Sequence, residues 1–242
     1  MSNEKQHEER KPRLKFSILS LFPEYFRGPF DVSMIKRARD RGIVDVELVD
    51  IRSFAHDKHK TVDDRPYGGG PGMVLKPGPL VEAIRSVKGE GSHVVYLSPQ
   101  GRPLDAARCR ELAEYSHIVL VCGHYEGIDE RVIDLEVDEE LCIGSYVLTS
   151  GAPAAVVVVD SVVRFLPDAI GHPDAVNQDS FEEGMFDAPA YTRPLVFEGL
   201  EVPEVLRSGN HSAIQTWKKK QALTKTEQVR PDLLQICSRK NS

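Results

Sequence analysis

The sequence predicts an α/β protein with a largely parallel sheet, joined to a small, mostly helical C-terminal domain. Short apolar segments typical of buried strands alternate with helical segments through residues 15–165, which is the pattern of a parallel sheet covered by helices. A segment rich in Pro, Asp, Gly and Asn at residues 166–180 then interrupts the pattern. The composition, with 40% hydrophobic and 28% charged residues, is that of a globular protein.

Hydrophobic patterning gives the elements of the first region. Residues 52–72 form a long polar loop, and loops of this length in a compact domain are usually functional or disordered. Residues 154–165 are ambiguous, because their valines favour a strand whereas their length favours a buried helix, which is the interpretation we adopt. Strands are predicted at residues 15–22, 45–50, 93–97 and 117–121, and helices at residues 33–41, 79–87, 105–114 and 126–135.

The domain organisation follows from the same patterns. Residues 1–14 are expected to be a disordered, solvated tail without the apolar core of a secretory signal, and residues 15–165 to be the α/β domain. Residues 166–180 are the linker, and residues 181–242 the helical C-terminal domain. In that domain Asn210 can cap a helix that runs to about Leu223, and Pro231 can open another.

Charge is distributed unevenly along the chain. The net charge is −6, but residues 207–242 hold eight Lys or Arg against two acidic residues, so that segment is +6 and residues 1–206 are −12. A basic C-terminal end can contact phosphates, although it is also compatible with an ordinary solvated helix face. No apolar run approaches the roughly 20 residues that cross a bilayer. The four cysteines lack metal-ligand or redox spacing, so we expect reduced thiols in a cytoplasmic protein without a membrane contact.

A glycine-rich loop is the first segment that could carry chemistry. Residues 63–73 read DDRPYGGGPGM, and such a bare backbone can approach a phosphate or a flat ring closely. No Gly-Lys-Ser/Thr follows, so it is not the phosphate loop of a nucleotide hydrolase. A tight surface turn is the alternative. His56 and His59 upstream could bind a metal, but solvated loop residues are the better interpretation.

Three further segments follow predicted strands or lead into the valine-rich segment. They are LSPQGR at residues 97–102, CGHYEGIDER at residues 122–131 and IGSYVLTSG at residues 143–151. Ligands in open α/β sheets bind at the carboxyl ends of strands, so these segments are well placed to form one site. Ordinary turns, acidic residues in the first turn of a helix and a buried connection are the respective alternatives. Arg164, after so much apolar sequence, also needs a partner or a role, or else reaches to solvent.

Together these segments resemble one family. PYGGGPGM, YLSPQG, CGHYEGIDER, IGSYVL, DSVVRFLP, QDSF, YTRP and SGNH occur in a single order between about Lys15 and Leu234. This is the pattern of the bacterial tRNA (guanine-37-N1)-methyltransferases, the TrmD family of the SPOUT class. The resemblance implies a methyltransferase that acts on the anticodon stem-loop of tRNA, a trefoil-knotted α/β domain and a homodimer. Pattern reasoning alone would have argued against a knot.

The resemblance also implies the roles of individual residues. Asp179 and Arg164 match the catalytic residues, and a magnesium ion is implied near Glu126, Asp179 and Asp187. The residues that match the S-adenosylmethionine site are Tyr96, Leu97, Ser98, Pro99, Gly101, Gly123, Tyr125, Glu126, Ile143, Gly144, Tyr146, Leu148 and Gly151. Those assigned to the RNA substrate are Tyr67, Gly69, Gly70, Pro71, Ser180, Asn210 and His211.

The chain departs from the family pattern at a few positions. Ser150 and Ala152 stand where glycine and glutamate are usual, Ser145 where an acid is usual, and His124 where arginine is usual. If the family glycine has a positive φ, Ser150 introduces strain of about 1 kcal/mol. The alternatives are a related SPOUT methyltransferase acting on another RNA site and a non-catalytic RNA-binding protein, with a nucleotide hydrolase third.

Overall fold

The computed structural model describes residues 12–170, 179–181 and 184–234 of the chain. The chain divides into two compact units, with the division between residues 171 and 172. The first unit is built on a five-stranded sheet in which every neighbouring pair of strands is parallel. From one edge to the other its strands are β2 (Val44–Asp50), β1 (Leu14–Ser20), β6 (His117–Cys122), β5 (Ser92–Pro103) and β7 (Glu139–Cys142). The predicted α/β class with a parallel sheet is therefore confirmed.

The elements of the first unit alternate along the chain as the sequence predicts. Short 3-10 helices occur at Pro23–Phe26 and Ile51–Phe54. The strands are β1 (Leu14–Ser20), β2 (Val44–Asp50), β3 (Asp63–Asp64), β4 (Val74–Leu75), β5 (Ser92–Pro103), β6 (His117–Cys122) and β7 (Glu139–Cys142). The helices are α1 (Arg27–Phe30), α2 (Ser33–Asp40), α3 (Pro77–Val87), α4 (Ala106–Leu112), α5 (Glu130–Glu136) and α6 (Ala152–Val163).

Both faces of the sheet are covered, which is why its strands are apolar at successive positions. Along β5, Val95 and Leu97 belong to the core packed on α6, while Val94 and Tyr96 belong to the core packed on α3 and α5. This alternation is the two-residue period of a strand with helices on each side. The ambiguous valine-rich segment is the helix α6, as predicted, and seven of its residues are buried.

Tertiary contacts shift several predicted boundaries. The first strand begins one residue earlier than predicted, because Leu14 of β1 is fully buried and pairs with Val44 of β2. Residues 1–11 of the predicted tail lie outside the described part. The strand predicted to end at residue 97 continues to Pro103 through an irregularity, since both Leu97 and Arg102 pair with Leu141 of β7. The long polar loop is not wholly irregular, because β3 within it pairs with β4.

One helix was predicted to begin too early. Residues 126–135 were expected to be helical, but α5 begins only after Asp129, whose side chain accepts a hydrogen bond from the Arg131 N–H. Glu126 lies in a turn instead, and Ile128 pairs with Leu75 of β4. Pairing with a distant strand therefore overrides the local helical preference.

The second unit contains a small hairpin and a long helix. The hairpin pairs β8 (Val196–Phe197) with β9 (Leu200–Glu201), a short 3-10 helix follows at Glu204–Arg207, and α7 spans His211–Val229. The Asn210 side chain caps α7 by accepting from the Ala213 N–H, as predicted, but the helix runs six residues beyond Leu223. Residues 231–234 are also helical, and the hairpin was not predicted. Among the described helices, none combines the length and apolar character that crossing a membrane requires.

Candidate active site

A pocket lies where β6 and β7 end and where β5 has its irregularity, at the point where the three predicted loop segments meet. It has a volume of about 200 Å³ and is partly open to solvent. The residues that line it are Tyr96, Leu97, Ser98, Pro99, Gly123, His124, Tyr125, Glu126, Gly127, Leu141, Cys142, Ile143, Gly144, Tyr146, Val147, Leu148, Thr149, Ser150, Gly151 and Ala154.

The pocket contains all the predicted cofactor residues except Gly101. That glycine lies beside the backbone of β7 instead, where a Cβ would come within 2.5 Å of the Leu141 nitrogen. Eight further residues line the pocket and were not assigned to the cofactor one by one: His124, Gly127, Leu141, Cys142, Val147, Thr149, Ser150 and Ala154. The signal in the sequence for them was that they lie within or next to the segments that hold the assigned residues.

Tyr96 forms part of the wall beneath the loop that follows β6. A Cβ built on Gly123 would lie 3.0 Å from the Tyr96 hydroxyl oxygen, and one built on Gly127 would lie 3.2 Å from it. Burial, and then the negative charge of Glu140, raise the pKa of the Tyr96 phenol, so this group stays neutral at physiological pH. The two glycines therefore let the loop pack tightly against a neutral, largely buried ring.

The loop before α6 passes directly beside the loop after β6. The Gly151 N–H donates to the Gly123 carbonyl at 2.8 Å, and His124 pairs with Ser150. A Cβ on Gly151 would lie 2.9 Å from the Cα of Cys122, so only glycine allows this approach. Ser150 is not among the described non-glycine residues with a positive φ, so the strain considered for this departure does not arise.

The glycine-rich loop is attached to the pocket through β4. The Glu126 N–H donates to the Met73 carbonyl at 3.0 Å, and the Leu75 N–H donates to the Gly127 carbonyl at 3.0 Å. Gly72 has a φ of +86° and lies against the Glu126 side chain. Two segments that are distant in sequence therefore meet at one rim.

The predicted substrate residues fall into two groups. Tyr67, Gly69, Gly70 and Pro71 lie in the glycine-rich loop, where Tyr67 is fully exposed and both glycines have positive φ. Ser180, Asn210 and His211 lie in the second unit.

The two predicted catalytic residues lie in different units. Arg164 is exposed at the C-terminal end of α6, the helix whose Ala154 lines the pocket. Asp179 lies in the second unit, next to Ser180, whose hydroxyl donates to the Asp187 carboxylate. The Asp187 N–H in turn donates to the Ser180 hydroxyl at 3.0 Å, so these two residues brace the turn that carries Asp179.

A parallel α/β sheet with a pocket at the ends of its strands defines a class of α/β proteins that bind a small molecule in the loops above the sheet. Comparison with known proteins identifies the family within that class. The sequence model of the family described as tRNA (Guanine-1)-methyltransferase TrmD matches residues 14–236. The chain belongs to this family.

Individual relatives agree with the family match. A tRNA (guanine-N(1)-)-methyltransferase of Protochlamydia amoebophila is 58% identical over 217 residues, which is 90% of this chain and 98% of the relative. Relatives with the same name from Geobacter sulfurreducens and Dictyoglomus turgidum are 51% and 49% identical, and each alignment covers 91% of the relative. The same alignments cover 91% and 93% of this chain.

Proposed function

We propose that this chain transfers the methyl group of S-adenosylmethionine to N1 of guanine-37 in tRNA, and that it acts as a cytoplasmic homodimer with the knotted topology of its class. The observation that carries the proposal is the meeting of three family segments in one pocket, with the glycine-rich loop attached at its rim. Family membership supports the reaction type, and the pocket is the proposed binding site for S-adenosylmethionine.

The residues of the pocket fit the proposed methyl donor. Leu97, Ile143 and Leu148 provide apolar surface for a flat ring, and the loops at Gly123 and Gly144 bring main-chain groups to the same space. When bound, S-adenosylmethionine supplies a methyl group that is already activated by the positive charge on sulfur. The protein therefore has to align the guanine and manage its proton.

Asp179 and Arg164 suit the two tasks that the guanine imposes. N1 of guanine carries a proton at neutral pH, and its lone pair becomes available only when that proton leaves. The Asp179 carboxylate is proposed to remove the proton as general base, and the negative charge then moves towards O6. The Arg164 guanidinium is proposed to donate to that oxygen as the charge develops.

Helix α7 is the proposed contact for the tRNA backbone. Lys218, Lys219 and Lys220 are consecutive and exposed on this helix. Lys225, later in the same helix, is exposed as well. Clustered exposed cations attract phosphates and release counterions on binding. This positions the substrate without reading its sequence.

A magnesium ion is a further expectation from the family resemblance. Within the described part of the chain, no three His, Cys, Asp or Glu side chains are grouped so that they could hold a metal ion. The proposed steps use only protein groups, and a magnesium requirement stays a prediction that a chelator titration can test.

The test is methyl transfer to an unmodified tRNA transcript, followed by mass mapping of the product. We expect one 1-methylguanosine, located at position 37, and no product with a transcript that carries adenine there. Methylation at another position would indicate a related enzyme with a different site. Binding of tRNA and S-adenosylmethionine without any transfer would indicate a non-catalytic RNA-binding protein.

A further inference from the structure

We propose that His124 is a positioning residue for the cofactor pocket, because its imidazole holds Tyr125 in the backbone conformation that makes the Tyr125 ring a wall of the pocket. The proposal rests on the proposed function, since it takes this pocket to be the S-adenosylmethionine site. It concerns a position at which this chain departs from its family.

Tyr125 has an unfavourable backbone conformation. Its φ is +57°, in the left-handed region that non-glycine residues seldom occupy and that bulky side chains occupy least. Such a conformation persists only where the surroundings fix it. Tyr125 is 47% exposed and lines the pocket, so its backbone conformation determines where an aromatic surface meets a ligand.

The preceding imidazole supplies a contact that fixes this conformation. The Tyr125 N–H donates to Nδ1 of His124 at 3.0 Å. Nδ1 can accept only when it carries a lone pair, so the ring proton of a neutral His124 lies on Nε2. The acceptor is thus one particular atom of the imidazole.

The imidazole itself is held from several sides. Its centroid lies 5.5 Å from that of the Phe22 ring, which follows β1, and 4.6 Å from that of the Tyr125 ring. The guanidinium carbon of Arg52 lies 5.9 Å from the centroid of Phe22. The backbone of His124 is paired with Ser150. The imidazole therefore contacts two aromatic rings, and the pairing with Ser150 fixes the backbone that carries it.

Arginine, which the family resemblance makes usual at this position, cannot replace the contact. A guanidinium has only donors and no acceptor. The hydrogen bond to the Tyr125 N–H is thus a property of the histidine in this chain.

The proposal can be tested with two substitutions that each place an amide group near the position of one imidazole nitrogen. In His124→Asn the amide oxygen can occupy the place of Nδ1, whereas in His124→Gln the amide lies one bond further out, near the place of Nε2. We expect the Asn variant to bind S-adenosylmethionine within about twofold of the unaltered protein. The Gln variant should bind about three- to tenfold more weakly, which corresponds to one neutral hydrogen bond. Calorimetry on the full chain measures both affinities.

A double substitution shows whether the effect acts through Tyr125. Glycine adopts a positive φ without cost, so in a Tyr125→Gly background His124→Gln should weaken cofactor binding no further. Thermal unfolding of each variant checks that it is folded, and tRNA affinity should stay unchanged throughout. This pattern distinguishes positioning from general destabilisation.

The outcomes separate the two proposals. If His124→Asn and His124→Gln bind the cofactor equally, or if the effect of Gln persists in the Tyr125→Gly background, the inference about His124 is wrong. If the unaltered protein does not bind S-adenosylmethionine, the proposed function is wrong instead.

Discussion

Replacing Gly101 by alanine should destabilise the first unit although it adds only one methyl group. The added Cβ would lie 2.5 Å from the carbonyl carbon of Glu140 and from the nitrogen of Leu141, and 2.6 Å from the Glu140 oxygen. These are main-chain atoms of β7, which is paired with β5 on both sides of the irregularity. No flexible side chain can move aside, so the two segments would have to separate.

The size of the effect follows from this geometry. Overpacking by a single group costs about 1–3 kcal/mol, and contact with a paired backbone places Gly101→Ala in the upper part of that range. At about 2–4 °C per kcal/mol for a chain of this size, a loss of about 2–3 kcal/mol lowers Tm by roughly 4–12 °C. The adjacent residues Ser98 and Pro99 line the pocket, so cofactor affinity should fall as well.

Thermal and urea unfolding of the unaltered protein and the variant measure this loss. Gly78→Ala is the matched control, because a Cβ at Gly78 in α3 meets no atom within 4 Å. That control should leave Tm unchanged or raise it slightly. Equal Tm values for Gly101→Ala and the unaltered protein would refute the reasoning. A Cβ at residue 101 would then fit beside the backbone of β7 without separating the two strands.

Other perturbations probe the chemistry, the tRNA interface, the response to pH and the oligomeric state. Asp179→Asn keeps the shape of the side chain but cannot take a proton, so the single-turnover rate at saturating tRNA and cofactor should fall about 100-fold or more; a rate within a few-fold would exclude Asp179 as the base. Replacing Lys218–Lys220 by alanine should weaken tRNA binding. The dependence of the logarithm of the binding constant on the logarithm of salt concentration should become shallower by roughly one unit for each phosphate that is no longer neutralised. Calorimetry should show that the affinity for S-adenosylmethionine is unchanged. Burial, and then the charge of Lys15, lower the pKa of His117, so the folded protein resists protonation there while the unfolded chain takes up a proton; stability should fall as the pH drops below about 6.5. Urea midpoints at pH 7.5 and 5.5 should show a smaller difference for His117→Gln than for the exposed control His56→Gln. Sedimentation at micromolar concentration should show a homodimer, and a fully active monomer would contradict that expectation.

His117, whose pKa this pH prediction concerns, lies in a hydrogen-bond network that only the structure shows. Nε2 of His117 lies 2.9 Å from the Ser17 hydroxyl oxygen, and Nδ1 lies 2.7 Å from that of Ser92. Ser17 donates to Glu47, which also accepts from Lys15. These residues come from β1, β2, β5 and β6 and have no common motif in the sequence.

The sequence was informative where local chemistry decides the structure. The alternation of apolar strands and helices predicted the α/β class, because a residue period of two or of about 3.6 reflects which faces are buried. The length of the valine-rich segment predicted α6 correctly against its strand propensity. The Asn210 side chain predicted where α7 begins, since a cap acts within one turn of the helix.

The order of eight motifs along the chain determined the family, whereas only the tertiary structure decided how the motifs are brought together. Ile128 is extended rather than helical because β4 pairs with it, and Ser98 to Gly101 leave the ladder because Leu97 and Arg102 both pair with Leu141. Likewise, Gly101 and Gly151 are needed because backbone from another segment lies within 3 Å of their missing Cβ. Such requirements arise between segments that are distant in sequence, so the local sequence pattern around each glycine cannot predict them.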